Sequence, residues 1–158
     1  VKNKRLGVGI MLINSDKKVF VGKRVDTPFF QGNTMGWQMP QGGIDLGETP
    51  QQAAMRELKE EVGTDKAEIL AETKDWLEYD LPEELQKKLW SGHYDSVKQK
   101  WFLMHFLGTD SDININETNH PEFSAWRWAE PETLVDLIID FKKDTYEKVL
   151  REFVPFLY

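Results

Sequence analysis

The sequence contains no cysteine, which excludes disulfide bridges, zinc–thiolate sites and thiol nucleophiles outright. That absence fits a reducing compartment, and a cytoplasmic location is expected. Positive charge is also short. Lys and Arg total 20 against 27 Asp and Glu, giving a formal net charge of −7. An acidic protein that handles phosphate needs a local basic patch or bound cations, and neither DNA nor a membrane is expected as a partner. No apolar run is long enough to span a bilayer. The N-terminal Lys2-Asn3-Lys4-Arg5, followed by an apolar stretch to Ile13, loosely imitates a signal peptide. Two glycines in that stretch, a turn-like Asn14-Ser15-Asp16 and the lack of a small-residue cleavage site argue against it. The chain begins at Val1, and an initiator methionine is expected upstream of it. There is no internal repeat and no low-complexity linker.

What is present suits one compact domain spanning residues 1–158, with 40% apolar and 30% charged residues. Six Trp and nine Phe are many for this length, and such rings serve either as core mass or as surfaces on which a base stacks. Strands are expected at residues 8–13 and 19–24, joined through Asn14-Ser15-Asp16-Lys17 as a hairpin. A loop over 26–36 and a short extended piece at 37–39 precede the glycine-rich residues 41–48. Further strands are expected at 69–73, 76–79, 100–107 and 123–129, with helices at 83–89, 131–138 and 144–153. In the last helix Tyr146, Val149, Leu150 and Phe153 mark the apolar face. Strands and helices mixed in this order suggest an α/β sheet covered by helices.

The best-signed element lies between Thr49 and Gly63. Thr49 is a good N-cap, Pro50 suits the first helical position, and Gln52 completes a capping box. Gly63 is a natural residue to follow the helix end. On this helix Glu57 and Glu61 lie one turn apart on one face, with Glu60 beside both. Ala53 falls on that face and would leave room there, while Ala54, Met55, Leu58 and Val62 can pack into a core. Crowded carboxylates repel, and divalent cations with hard oxygen preference, Mg²⁺ above all, remove that penalty. Such ions also neutralise a polyphosphate and activate water. Gly42 and Gly43 let the backbone come close to metal or phosphate, and Arg56 can pair with a helix carboxylate and orient it. The bland alternative is a solvated acidic face.

The residues Gly42, Glu48, Arg56, Glu57, Leu58, Glu60, Glu61 and Gly63 fall on a pattern that resembles the signature of the Nudix family of hydrolases. Only Thr64 departs, standing where an aliphatic residue is usual. The resemblance implies an α/β/α sandwich with a mixed sheet and a loop-helix-loop catalytic motif. It implies that Glu57, Glu60 and Glu61, with the carbonyl of Gly42, bind Mg²⁺, for which Mn²⁺ or Zn²⁺ can substitute, and that Gly43, Glu48 and Arg56 support them.

The flanks carry the resemblance further, through Trp37-Gln38-Met39-Pro40-Gln41, Trp76-Leu77-Glu78-Tyr79, Lys98-Gln99-Lys100-Trp101-Phe102, Pro121-Glu122-Phe123, Trp126-Arg127-Trp128 and Phe141-Lys142-Lys143. This series is similar to bacterial RNA pyrophosphohydrolases and to dinucleoside tetraphosphate hydrolases, especially alphaproteobacterial members, some called invasion-associated proteins. The implied activity is cleavage of a pyrophosphate bond in a nucleotide-ended substrate. The substrate would be a 5′-triphosphorylated RNA, taken to the monophosphate, or diadenosine tetraphosphate, taken to ATP and AMP. The resemblance makes Glu122 a further metal ligand or the base, with Glu60 the other candidate for taking a proton from water. It makes Tyr79 and Phe141 the rings that sandwich adenine, Arg24 a residue near the base and Arg5 one near the phosphates. Lys100 and Lys142, with Lys98 and Lys143 beside them, are candidates for a local basic patch. Ser96-Val97 stands where the family usually carries Gly-Gln, and the loop containing Phe29 and Phe30 is longer than in many relatives, a candidate lid or partner surface. A non-catalytic nucleotide-binding or sensor domain on the same fold would be expected to lose some of these carboxylates. The sequence names no protein partner.

Overall fold

The protein is described here from a computed structural model covering residues 3–25 and 36–158; the expected loop aromatics Phe29 and Phe30 lie outside the described residues. Its centre is a long pair of parallel strands, β1 (Lys4–Ile13) and β7 (Ser96–Phe106). They run in unbroken register from Lys4 against Ser96 to Ile13 against His105. From Gly7 to Ile13 in β1 and from Trp101 to Met104 in β7 every residue is buried, as in strands covered on two sides.

The remaining strands add antiparallel pairs to this centre. β2 (Val19–Arg24) joins β1 at its far end, at Ile13 against Val19, and itself pairs with β3 (Trp37–Gln38) and β8 (Phe123–Ala129). β5 (Ala67–Glu72) and β6 (Leu77–Asp80) occupy successive lengths of the other edge of β7. The near half of β1 takes a different partner, β4 (Gln41–Gly43). β1 therefore changes partner along its length, and that switch brings the glycine-rich segment against Arg56 and Glu57 in the middle of a helix.

That helix, α1 (Pro50–Val62), covers one face of the sheet. Ala53, Ala54, Leu58 and Val62 pack on Val8, Ile10, Leu12, Phe102 and Met104. Ala53 is fully buried, so its small side chain serves close helix–sheet packing and does not make room on the acidic face. The other face is covered by α4 (Lys143–Leu157), preceded by the single turns α2 (Glu83–Gln86) and α3 (Leu134–Leu137). From α4, Tyr146, Val149, Phe153 and Leu157 meet Met11, Ile13, Trp101 and Leu103. Alternate residues of the same strands thus face two separate cores, which makes the fold an α/β/α sandwich around a mixed sheet.

Two close approaches explain glycines inside strands. A Cβ on Gly9 would lie 2.3 Å from the Trp101 ring, and one on Gly22 would lie 2.4 Å from the Phe123 ring. Both rings are fully buried and cannot swing into solvent. We predict that Gly9→Ala lowers the unfolding free energy by about 1–3 kcal/mol, the usual range for overpacking a tight core. Chemical denaturation measures it, and an unchanged midpoint would contradict the packing described.

Candidate active site

The helix that presents the carboxylates is fixed at both ends. Thr49 accepts from the Gln52 N–H at 3.1 Å while the Gln52 side chain accepts from the Thr49 N–H at 3.0 Å. Gly63 closes the other end at φ 84°, a left-handed value that glycine adopts without strain. Thr64, where the signature favours an aliphatic residue, is buried and its hydroxyl accepts from the Lys66 N–H at 3.1 Å. The departure closes the turn after α1 by a local hydrogen bond.

Between those ends Arg56 organises the carboxylates. Its Nε and Nη2 donate to the two oxygens of Glu48 at 2.7 and 2.9 Å. Nη2 also donates to the Gly43 carbonyl at 2.8 Å, and Nη1 donates to Glu57 at 2.8 Å and Glu60 at 3.3 Å. This pairing holds the Glu48 carboxyl at about 2, well below its ordinary value. These contacts join Glu48, Arg56 and Gly43, the three residues expected to support the site.

Glu57 and Glu61 sit in a different environment. Burial pushes the Glu57 carboxyl up to about 7, against the opposing pull of Arg56. Glu61 is 5% exposed. Burial first, then the charges of Glu57 and Glu122, raise its carboxyl well above the ordinary range. The Gln41 N–H supports it, but its Oε2 is buried without a hydrogen-bond partner among the described residues. The absence of a side chain at Gly42 is what admits Glu57, since a Cβ there would lie 2.0 Å from the Glu57 carboxyl carbon.

These groups line one wall of a cleft of about 330 Å³, a size suited to a small ligand. Arg5, Arg24, Gln38 and Gln41 line it as well, and Thr118, His120 and Glu122, from the loop before β8, close it. The segment carrying Gln38 to Gly43 is held from behind. The buried Tyr146 hydroxyl accepts from the Met39 N–H at 2.7 Å, and the Pro40 carbonyl accepts from the Ile10 N–H at 2.9 Å. Local sequence motifs did not single out Gln38, Gln41, Trp90, Thr118 or His120. The two glutamines stand in the run that leads to Gly42, which was the available signal.

Beside the cleft lies a cavity of about 50 Å³ lined by Arg24, Gln41, Tyr79, Leu81, Trp90, Phe141 and Lys142. Tyr79 and Phe141 come together here, but their ring centroids are 5.8 Å apart at an interplanar angle of 46°. A base between two parallel rings needs more space than this, and the cavity holds only a few waters. The rings would have to part to sandwich an adenine. Lys142 is buried there, donating to Gln38 Oε1 at 3.2 Å.

Lys100 requires correction. Its ammonium donates to the Thr73 and Lys74 carbonyls at 2.6 and 3.1 Å and is absent from the cleft lining. It ties the turn after β5 to β7, the half-buried amine taking the acceptors nearest its stem. Lys143 pairs with Asp140 at 3.3 Å and Lys98 lies 5.9 Å from the Trp76 ring. The expected lysine patch therefore reduces to Lys142, and Arg5 and Arg24 supply the cationic side of the cleft. Among the described residues no three His, Asp or Glu side chains are drawn together tightly enough to cage a metal ion; Arg56 stands between Glu57 and Glu60.

A sequence profile described as the NUDIX domain matches residues 3–155. An RNA pyrophosphohydrolase of Rhodospirillum rubrum is 54% identical over 96% of this chain and 88% of its own length. One of the Wolbachia of Culex pipiens is 53% identical over 96% of this chain and 90% of its own. Among solved structures, the E. coli dihydroneopterin triphosphate pyrophosphohydrolase superposes with a TM-score of 0.71 at 23% identity, covering 96% of this chain and 99% of that one. A C. elegans Ap4A hydrolase binary complex gives 0.67 at 19%, covering 96% and 98%. These two likenesses concern the fold.

The raised carboxyls set a pH dependence. Glu57 moves from an ordinary 4.5 in the unfolded chain to about 7 in the folded one, so the unfolded chain releases this proton first. Below pH 4.5 there is no penalty; from 4.5 to 7 stability falls as pH rises, and above 7 the loss is complete, on the order of 3 kcal/mol. Glu61 shifts in the same direction. In chelator-containing buffer the denaturation midpoint should be lower at pH 8 than at pH 5.5, and Glu57→Gln should shrink the difference. A wild-type midpoint that rises over that interval would contradict the burial described.

Proposed function

Because this chain belongs to the Nudix family of hydrolases, we propose that its cleft hydrolyses a pyrophosphate bond in a nucleotide-ended substrate. The substrate is a 5′-triphosphorylated RNA, cut to the monophosphate, or diadenosine tetraphosphate, cut to ATP and AMP. The observation that carries this reading is the pairing, in one cleft, of buried carboxylates on α1 with the guanidinium groups of Arg5 and Arg24. The names of relatives more than half identical over nearly the whole chain support the RNA end. The aromatic pair beside the cleft supports an adenine-ended dinucleotide.

The residues fit a divalent cation, with Mg²⁺ the ion we propose. An all-oxygen set suits a hard ion, Glu61 Oε2 is buried without a donor among the described residues, and Glu57 carries a charge its surroundings disfavour. Glu57, Glu60, Glu61 and the Gly42 carbonyl would hold it, with Glu122 facing them. When bound, the ion supplies neutralisation of the phosphate chain and polarisation of the phosphorus.

The protein's own groups then divide the work. Arg5 binds phosphate oxygens and stabilises charge that grows on the leaving group, and Arg24, which lines both the cleft and the aromatic cavity, stands near the base. Arg56 keeps Glu57 and Glu60 turned toward the cleft. Glu60 is engaged by Arg56, so Glu122, which lines the same cleft and whose charge acts on Glu61, is our choice to take the proton from the attacking water. Tyr79, Phe141 and Lys142 would receive the base once the rings separate.

Glu61→Gln should lower turnover by about a thousandfold or more with far-ultraviolet dichroism unchanged; activity near wild type would refute the role of the carboxylates. Tyr79→Ala should weaken binding of adenine-ended dinucleotides by about tenfold while leaving inorganic triphosphate within about twofold, as loss of one stacking surface requires. Equal losses for both would remove the stacking role. Side-by-side turnover of triphosphate-ended RNA and diadenosine tetraphosphate decides which substrate is preferred.

A further inference from the structure

Trp90 stands out by its backbone. Its φ is 48° and that of Ser91 is 59°, two consecutive left-handed residues that are not glycine. Each such residue costs about 1–3 kcal/mol and persists only where its surroundings fix it. The turn itself is closed by the Gly92 N–H donating to the Leu89 carbonyl at 2.9 Å and the His93 N–H donating to the Trp90 carbonyl at 3.2 Å. Glycine at position 90 would make the same turn without strain, so the strained backbone serves to deliver an indole.

The indole meets Arg5. The guanidinium carbon lies 4.3 Å from the Trp90 ring centroid, within range for a cation–π contact. Tyr94 braces the indole edge-on, with centroids 6.0 Å apart. The same guanidinium rests against Gly43, where a Cβ would come within 2.5 Å of Nη2 and 3.0 Å of Cζ. Arg5 is thus held by an aromatic ring and by the backbone of a residue that has no side chain. The carboxylates of Glu57 and Asp45 attract its charge. An Arg5 freed from the ring would turn toward them, and so away from an incoming phosphate.

We propose that Trp90 is a positioning residue that holds the Arg5 guanidinium in the cleft, ready for a phosphate chain and away from the carboxylates of α1. The proposal rests on the reading of the cleft as a polyphosphate site. Trp90 also lines the small aromatic cavity, so one ring forms a wall common to the phosphate and base compartments. It acts through Arg5 and touches no reacting atom.

The test is a double-mutant cycle on wild type, Trp90→Ala, Arg5→Ala and the double variant, with Trp90→Phe and Trp90→Gly added. Turnover of triphosphate-ended RNA and diadenosine tetraphosphate is measured, together with calorimetric affinity for inorganic triphosphate in Mg²⁺. Trp90→Ala should lower kcat/KM and triphosphate affinity by about tenfold, the size of a partly desolvated cation–π contact. Trp90→Phe, which keeps a ring, should recover all but about threefold. In the Arg5→Ala background the same change should cost less than about twofold. Trp90→Gly should melt no lower than Trp90→Ala, since it relieves the strain, yet lose as much activity. A Trp90→Ala loss that persists undiminished without Arg5, or activity that follows melting temperature across the series, would overturn the proposal. A wild type that cleaves neither substrate would overturn the functional reading instead, and triphosphate affinity would still decide the role of Trp90.

Discussion

The cleft depends first on the orientation of one guanidinium. Arg56 distributes its donors over Glu48, Glu57, Glu60 and the Gly43 carbonyl, so a loop, a strand end and a helix face become one rigid unit. A planar fork with fixed donor directions can do this; the rotating ammonium of lysine cannot hold a carboxylate pairwise. Glu48 belongs to the loop that precedes α1, and its pairing with Arg56 brings that loop back over the helix. Glu57, the next residue along, is thereby turned to the cleft wall that Gly42 leaves open.

From that constraint follows an electrostatic division. Glu48 is paired and solvated, and its charge is favoured. Glu57 and Glu61 are buried close to one another, and their charges are disfavoured. A fold would not place carboxylates so at no benefit, because each disfavoured charge weakens the native state at neutral pH. On the proposed function, divalent cations and a phosphate chain would relieve that cost and give Arg5 and Arg24 a use. Stability given up by these carboxylates would then favour the loaded site, a trade common at functional sites.

Legibility in the sequence followed the range of the interactions. The caps of α1, its carboxylate face and the hairpin of β1 with β2 rest on contacts a few residues apart, and they stand where residue spacing put them. β4 was not foreseen, because Gln41-Gly42-Gly43 has no strand propensity and is extended only through its pairing with β1. β1 and β7 begin earlier than their apolar residues suggest, since Lys4 and Ser96 are drawn in by parallel register. Residues whose roles are set by distant partners were the least legible. Lys100 is taken by carbonyls 26 and 27 positions away, and Arg5 meets Trp90 only because the parallel register brings the start of β1 beside the turn before β7. Glu122 carried no local signal beyond Pro121, and only its resemblance to a known family pattern marked it.

The most direct measurement is anomalous diffraction from crystals soaked with Mn²⁺ and a nucleotide. The account predicts manganese peaks within coordination distance of Glu57 and Glu61, between the helix and the phosphates. Manganese bound elsewhere, while those carboxylates keep their present positions beside an occupied nucleotide site, would contradict it.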